Sequence, residues 1–297
     1  MHFHIVDSQT TYRRLLAAED EATRRAIFVE ELVQPFSGLV RIFGSDGEAA
    51  FAQWGMSPGQ FSGEQRAQTE AVFKGLEAAN AWQRAAQALE RGREAFAPFA
   101  NRIPLDNIVF ALLIADLSTG PTANEGYIGF GGIPGWIMTV YGSATEYNLA
   151  RVEACTVHEL HHNVLGAVQP RNIMTETTVA DYLVLEGLAE SFAAELYGAE
   201  LIGPWVTNLP EDQVEIARRV IGENLAATGF NTIRAYIFGD AIVQKYMDMP
   251  PVGVPPYAGY ALGYRVVQAY LRRTGKSVAE ATFAPTGEII EESGVFA

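Results

Sequence analysis

Cysteine is almost absent from this chain. Cys155 is the single cysteine among 297 residues, so no internal disulfide can form. A small secreted protein built on disulfides is therefore excluded. We expect Cys155 to lie on a helix as a small residue of the protein core.

Long hydrophobic segments are also missing. The sequence has no run of about 18 apolar residues, so no membrane span is expected. The first seven residues, Met1 to Asp7, lack the basic start and the apolar stretch of a secretory signal. These absences predict a cytoplasmic protein.

Basic residues are few relative to acidic ones. The chain has 21 Lys and Arg against 35 Asp and Glu, which gives a formal net charge of −14. Such a surface repels nucleic acid and anionic membranes, so neither is an expected partner. It mildly favours neutral or basic peptides, and it carries no information on oligomeric state.

Histidine is scarce too, yet three of the five histidines fall in one stretch, His158-Glu159-Leu160-His161-His162. Apolar residues recur around this stretch at helical spacing. On a helix, residues four apart differ by about 40° around the axis and about 6 Å along it. His158 and His162 would therefore face one Zn²⁺ ion, and Glu159 would lie beside the metal as a general base.

Two other interpretations of this HExxH stretch compete with a zinc site. A carboxylate-bridged di-iron site needs a second Glu-x-x-His, and no other histidine lies three residues after a glutamate. Alternatively, the histidines are incidental on a polar helix face. His161 points away from the other two, and we expect it to support the site or the fold rather than to bind the metal.

A catalytic zinc takes three protein ligands and leaves one position open. His2 and His4 lie far upstream in a predicted strand, which favours a carboxylate as third ligand. Glu186 and Glu190 lie four apart on one face of a predicted downstream helix. We assign Glu186 as the third ligand and Glu190 as the acceptor for a ligand histidine's second ring N–H. The alternative ligands are Asp181 and Glu195, and the alternative interpretation is a solvated pair of glutamates.

The HExxH motif followed by a helix with Glu186-x-x-x-Glu190 resembles the gluzincin branch of the zincin metallopeptidases. Longer segments are similar to the YjaZ-like predicted Zn-dependent proteases. These segments are Val157 to Asn163, Glu186 to Glu190 and Gly259 to Tyr264. The resemblance covers roughly residues 100 to 297 and implies a zincin-like core with zinc chemistry.

Peptide hydrolysis also needs a donor for the developing oxyanion. With the histidines assigned, tyrosine or arginine must serve. Tyr260 and Tyr264 lie four apart on a predicted helix and are the first and second candidates, and Arg265 is the third. Packing in the core is the alternative role for either tyrosine. Gly259 and Gly263 form a stripe that predicts close contact with another helix.

The predicted fold is α+β and helix-dominated, a zincin-like metallopeptidase core with a small sheet and helical flanking regions. Three regions are expected: a mainly helical part over 1–103, the catalytic core over 104–200, and a helical part over 201–297 that closes the cleft. Trp136 to Tyr141 is predicted as the edge strand that pairs with substrate. Gly120 to Gly135 is predicted as a glycine-rich connection, and its Gly129-Phe130-Gly131-Gly132 run is a weak phosphate-loop signal.

The sequence thus predicts a zinc metallopeptidase that acts on a peptide or protein substrate. Zn²⁺ is the expected cofactor, His158, His162 and Glu186 are the expected ligands, and Glu159 is the expected base. Two alternatives stay open: a non-catalytic zinc protein that binds or chaperones others, and a metal-dependent hydrolase of non-peptide amides.

Overall fold

The computed structural model describes residues 1–42, 44, 46–118 and 126–297. Helices dominate these residues and accompany a small four-stranded mixed sheet, which agrees with the predicted α+β class. The contacts divide the chain into two compact units. The first comprises Met1–Arg93 and Leu105–Asn163, and the second comprises Glu94–Pro104 and Val164–Ala297. The three predicted regions stay a prediction.

The first unit contains the whole sheet. The division between the units falls within helices α6 and α8, whose last residues belong to the second unit. The strands of the first unit are β1 (His2–Ile5), β2 (Asn107–Ile114), β3 (Tyr127–Phe130) and β4 (Trp136–Tyr141). Its helices are α1 (Ser8–Ala17), α2 (Glu21–Ile27), α3 (Ser37–Ile42), α4 (Gly47–Gln53), α5 (Arg66–Ala78), α6 (Ala81–Ala95), α7 (Glu146–Leu149) and α8 (Val152–Val168).

The strand order in the sheet is β1-β2-β4-β3. β2 pairs in parallel with β1 and with β4, and β3 pairs antiparallel with β4, with Gly129 opposite Thr139. The expectation that Trp136 to Tyr141 is the edge strand is therefore wrong, because β4 lies between two neighbours. β3 occupies that edge. It forms within the predicted glycine-rich connection, of which residues 120–125 lie outside the described residues.

The continuous apolar run of β2 explains its central position, since a strand covered on both faces carries few polar side chains. Helix α1 packs against β2 and is fixed to its backbone. The hydroxyl of Ser8 donates to the carbonyl of Leu112 at 2.6 Å, and the hydroxyl of Tyr12 accepts from the N–H of Ile114 at 2.8 Å. These bonds satisfy polar groups that burial would otherwise leave unpaired.

The second unit is helical. Its helices are α9 (Val179–Tyr197), α10 (Pro204–Thr207), α11 (Glu211–Gly222), α12 (Phe230–Phe238), α13 (Asp240–Met247), α14 (Ala258–Thr274), α15 (Val278–Ala281) and α16 (Thr286–Ser293). None of the helices in the described part of the chain is long and apolar enough to cross a membrane.

Helices α9 and α14 pack closely where both carry glycine. A Cβ at Gly187 would overlap the backbone of Gly263, and a Cβ at Gly263 would overlap the carbonyl of Leu183. A Cβ at Gly259 would come within 2.5 Å of the Cα of Ile237 on α12. The predicted close packing of the glycine stripe is thereby confirmed, and it fixes the helix of Glu186 and Glu190 beside the helix of the two candidate tyrosines.

Candidate metal centre

The HExxH histidines lie on α8, one helical turn apart, as the motif predicts. Their ring centroids are 4.5 Å apart and the ring planes are perpendicular. Both side chains are largely buried, while Val157 and Leu160 of the same helix are in the core. The apolar periodicity of α8 therefore fixes its orientation, and that orientation places the two imidazoles together.

Glu159 completes a group that suits a metal ion. One ligand atom from each of His158, Glu159 and His162 lies within 4.8 Å of the others. The Nε2 atom of His158 is 4.0 Å from Oε1 of Glu159. His158 and His162 offer imidazole nitrogens, which zinc prefers, and Glu159 holds a carboxylate beside them, so the residues present fit this ion.

His161 has a different environment. Its side chain is fully buried, and this burial lowers the pKa of His161 well below its ordinary value, with smaller contributions from His162 and His158. It is not among the metal-capable group found in the described residues. This agrees with the predicted supporting role.

Two glycines beside Glu159 make room for it. A Cβ at Gly129 of β3 would come within 2.5 Å of the Cδ and 2.6 Å of the Cγ of Glu159. A Cβ at Gly131 would meet the backbone of Glu159, at 2.9 Å from its Cα. Glu159 thus occupies space that only glycine leaves open. The glycine run that weakly suggested a phosphate loop therefore holds the candidate base against the sheet.

Sequence reasoning missed the roles of Gly129 and Gly131. It also missed Asn163, whose buried side-chain amide forms hydrogen bonds with the backbone of residues 131–136. A usable signal for the glycines is their spacing of two, because alternate residues of an extended segment face the same side, and Gly131 directly follows the last residue of β3. For Asn163 the signal is a polar side chain directly after the second motif histidine, on a helix whose neighbours are mostly apolar.

The second unit holds the predicted acidic residues on α9. Glu186 and Glu190 are buried. The carboxylate of Glu190 accepts hydrogen bonds from the indole N–H of Trp205 at 2.6 Å and from the N–H of Gly203 at 3.2 Å. These two donors hold Glu190 in a fixed orientation within its own unit.

The alternative acidic ligands have structural roles. Asp181 belongs to the capping box of α9 with Thr178, accepts from Thr286 at 2.6 Å, and pairs with Arg171 at 2.6 Å. Glu195 accepts from the N–H of Val278 at 3.0 Å. Both carboxylates therefore serve helix ends of the second unit.

The candidate oxyanion donors lie on α14. Tyr260 is partly exposed and packs against Trp205, Phe238 and Tyr257, with ring centroids between 5.8 and 6.2 Å away. Burial, reinforced by the negative charge of Glu190, raises the pKa of Tyr264 above its ordinary value. Tyr264 thus keeps its proton, as a hydrogen-bond donor must.

Arg265, the third candidate for this role, forms an exposed ion pair with Glu211 at 2.6 Å. The structure brings together His158, Glu159 and His162 in the first unit. Helix α9 with its two glutamates and helix α14 with its two tyrosines pack together in the second.

The comparisons with known proteins give one family and one curated relative. A family model described as "Predicted Zn-dependent protease (DUF2268)" matches residues 81–291, which include α8, α9 and α14. The "Uncharacterized protein YjfC" of Bacillus subtilis (strain 168) is 40% identical over 195 residues, 66% of this chain. The chain spans 64% of that relative's length. No solved structure matches the chain.

Proposed function

Because this chain belongs to the family described as predicted Zn-dependent protease (DUF2268), we propose that it hydrolyses peptide bonds in a zinc-dependent reaction. The observation that carries the proposal is the group of His158, Glu159 and His162, whose ligand atoms lie within 4.8 Å of one another. A purely structural zinc site has no need of a base beside its ligands.

In the proposed site, His158 and His162 hold the metal through ring nitrogens and Glu186 is the third ligand, as in gluzincins. Glu190 accepts the second ring N–H of a ligand histidine, which fixes its tautomer and makes it a better ligand. Zn²⁺ supplies the Lewis acidity that makes a water molecule nucleophilic near neutral pH.

Glu159 carries the proton in this mechanism. Its carboxylate takes a proton from the attacking water while the new bond forms between the water oxygen and the scissile carbonyl carbon. It then gives that proton to the leaving amine nitrogen as the C–N bond breaks. The close fit of Glu159 against Gly129 restricts where its carboxylate can lie, and so favours one position for both transfers.

A tyrosine of α14 donates to the oxyanion that develops on the carbonyl oxygen. Tyr260 is our first choice and Tyr264 the second. The raised pKa of Tyr264 supports it as a donor, because the phenol keeps its proton throughout the neutral range. The ion pair of Arg265 with Glu211 makes arginine the weaker candidate.

The substrate strand is proposed at β3. This strand has a single neighbour among the described residues, and it carries Gly129 next to Glu159. An extended peptide that pairs with an exposed strand gains backbone hydrogen bonds without dependence on its side chains. The negative net charge of the chain favours neutral or basic peptides.

The test compares wild type with Glu159→Gln, with Glu146→Gln on α7 as an exposed control for the change of charge. Bound zinc and cleavage of casein or a peptide library are measured for all three. We expect each protein to bind zinc, and Glu159→Gln to lose about 10²- to 10⁴-fold in rate, the range of general base catalysis.

Three other outcomes contradict the proposal in different ways. Equal cleavage by wild type and Glu159→Gln removes Glu159 as the base. Zinc binding with no cleavage of any amide favours a non-catalytic zinc protein. Cleavage of small amides with no cleavage of peptides favours a hydrolase of non-peptide substrates.

A further inference from the structure

Asn163 follows the second motif histidine on α8, and its side chain is fully buried. Its Oδ1 accepts from the N–H of Gly135 at 2.7 Å. Its Nδ2 donates to the carbonyls of Gly131 at 2.7 Å, Trp136 at 2.9 Å and Ile133 at 3.1 Å. One side chain therefore binds the backbone along residues 131–136, which comprise the turn between β3 and β4 and the first residue of β4; this segment is hereafter the β3–β4 turn.

The chemistry of this contact specifies asparagine. Two amide protons face three carbonyls while the amide oxygen faces an N–H, so acceptor and donor are both needed at fixed positions. Aspartate at position 163 would place a second acceptor against the carbonyls, and leucine would leave buried polar groups unpaired at about 1–3 kcal/mol for each. Helix and turn are thus joined by a contact that other side chains of this size do not reproduce.

The same turn also touches Glu159. A Cβ at Gly131 would overlap the backbone of Glu159, so the two main chains are in direct contact there. Glu159 and Asn163 are four residues apart and lie on the same side of α8. The β3–β4 turn therefore contacts the helix at two points one turn apart. Two such points fix both the rotation of the helix and its position along its axis.

We propose that Asn163 is a positioning residue for Glu159. It holds α8 against the β3–β4 turn so that the carboxylate of Glu159 stays at Gly129 of β3. The proposal rests on the function proposed above, in which Glu159 is the base. The two histidines are less dependent on this contact, because their mutual geometry is set within α8 itself.

The experiment compares Asn163→Ala with Asn148→Ala. Asn148 is a matched control because it is also buried in the first unit and also bonds to a loop, with its Nδ2 donating to Ser143 Oγ at 2.7 Å. Five quantities are measured for each variant. Amide exchange of Gly135 and the amide resonance of Gly129 are measured in zinc-free protein, and zinc affinity by chelator competition, kcat and KM complete the set.

We expect Asn163→Ala to lose protection at the Gly135 amide and to shift the Gly129 resonance. Its zinc affinity should stay within about tenfold of wild type, less than the loss of a direct ligand would cause. Its kcat should fall about 10²-fold with little change in KM, the loss expected for a displacement of about 1 Å. Asn148→Ala should keep the kcat and the Gly129 resonance of wild type.

The inference is overturned if Gly135 loses protection in Asn163→Ala while kcat equals that of Asn148→Ala. If wild type with bound zinc cleaves no peptide, the proposed function fails instead. The inference is then decided in zinc-free protein, where an unshifted Gly129 resonance in Asn163→Ala overturns it. Should Asn163→Ala not fold, Asn163→Ser gives the same comparison, because its hydroxyl can still donate to one carbonyl.

Discussion

Gly129→Ala is expected to lower the activity without disrupting the fold. The added Cβ would overlap Oε1 of Glu159 and lie 2.5 Å from its Cδ, whereas ordinary contact begins at 3.4 Å, so the carboxyl group must move by at least about 0.9 Å. The atoms in conflict are at the end of a rotatable side chain, and the backbone of Gly129 has an ordinary φ. Stability should therefore change by less than about 1 kcal/mol.

The catalytic cost is larger than the cost in stability. A displacement of about 1 Å in a catalytic group lowers the rate about 10²-fold, which corresponds to about 2.7 kcal/mol in the activation free energy. Zinc should still bind, because His158 and His162 keep their positions on α8. The expected phenotype is a folded, zinc-loaded protein with low kcat.

Gly132→Ala is the matched control, because a Cβ at Gly132 meets no atom of the described part of the chain within 4 Å and its backbone also has an ordinary φ. The assay measures kcat on a peptide substrate, zinc affinity by chelator competition, and thermal unfolding for both variants. A zinc-loaded Gly129→Ala with wild-type kcat would show that the carboxylate position beside Gly129 is not the one used in catalysis.

Further predictions concern the second unit and the buried phenols. Glu186→Gln should weaken zinc binding by more than the roughly 10- to 100-fold of an indirect change, and unchanged affinity in a chelator titration removes it as a ligand. Of Tyr260→Phe and Tyr264→Phe, the oxyanion donor should lose about 10²- to 10³-fold in kcat with zinc affinity intact. Tyr12→Phe should lower the free energy of unfolding by about 1 kcal/mol, because its hydroxyl accepts a backbone hydrogen bond. Tyr141→Phe should be neutral or stabilising, because its buried hydroxyl has no hydrogen-bond partner among the described residues. Burial raises the pKa of both phenols in the folded state. Above about pH 10 the unfolded state alone loses these protons, so the free energy of unfolding should fall by about 1.4 kcal/mol per pH unit for each phenol. Urea unfolding at several pH values measures this fall, which should be less steep in each of the two variants than in wild type.

Local sequence patterns were sufficient for most elements near the site. The apolar run and the flanking glycines predict a strand over Trp136 to Tyr141, which matches β4. The HExxH helix and the glutamate helix also form where helical periodicity places them. In each case the residues that set the pattern are neighbours in the chain, so the signal is complete without knowledge of the fold.

Strand order could not be obtained in this way. β4 becomes interior because β3 adds to it from the preceding segment, although β3 has only four residues and contains Gly129. Glycine has low strand propensity, so a glycine-rich segment is ordinarily predicted as a loop. The strand forms because β4 offers an unpaired edge, and that edge exists only in the folded unit.

Tertiary contacts also explain why the sequence predicted the chemical groups around Glu159 but not the residues that position it. A motif specifies which groups do chemistry, but a base needs one position, and that position is set by what lies next to it. Gly129 and Gly131 help to set the position of Glu159, because they lack side chains and so let the strand and the turn approach the helix closely. Hydrogen bonds from Asn163 then hold the turn in place. Missing side chains and backbone carbonyls leave only weak signals in a sequence, such as two glycines spaced by two, so their positions in space are what identify them.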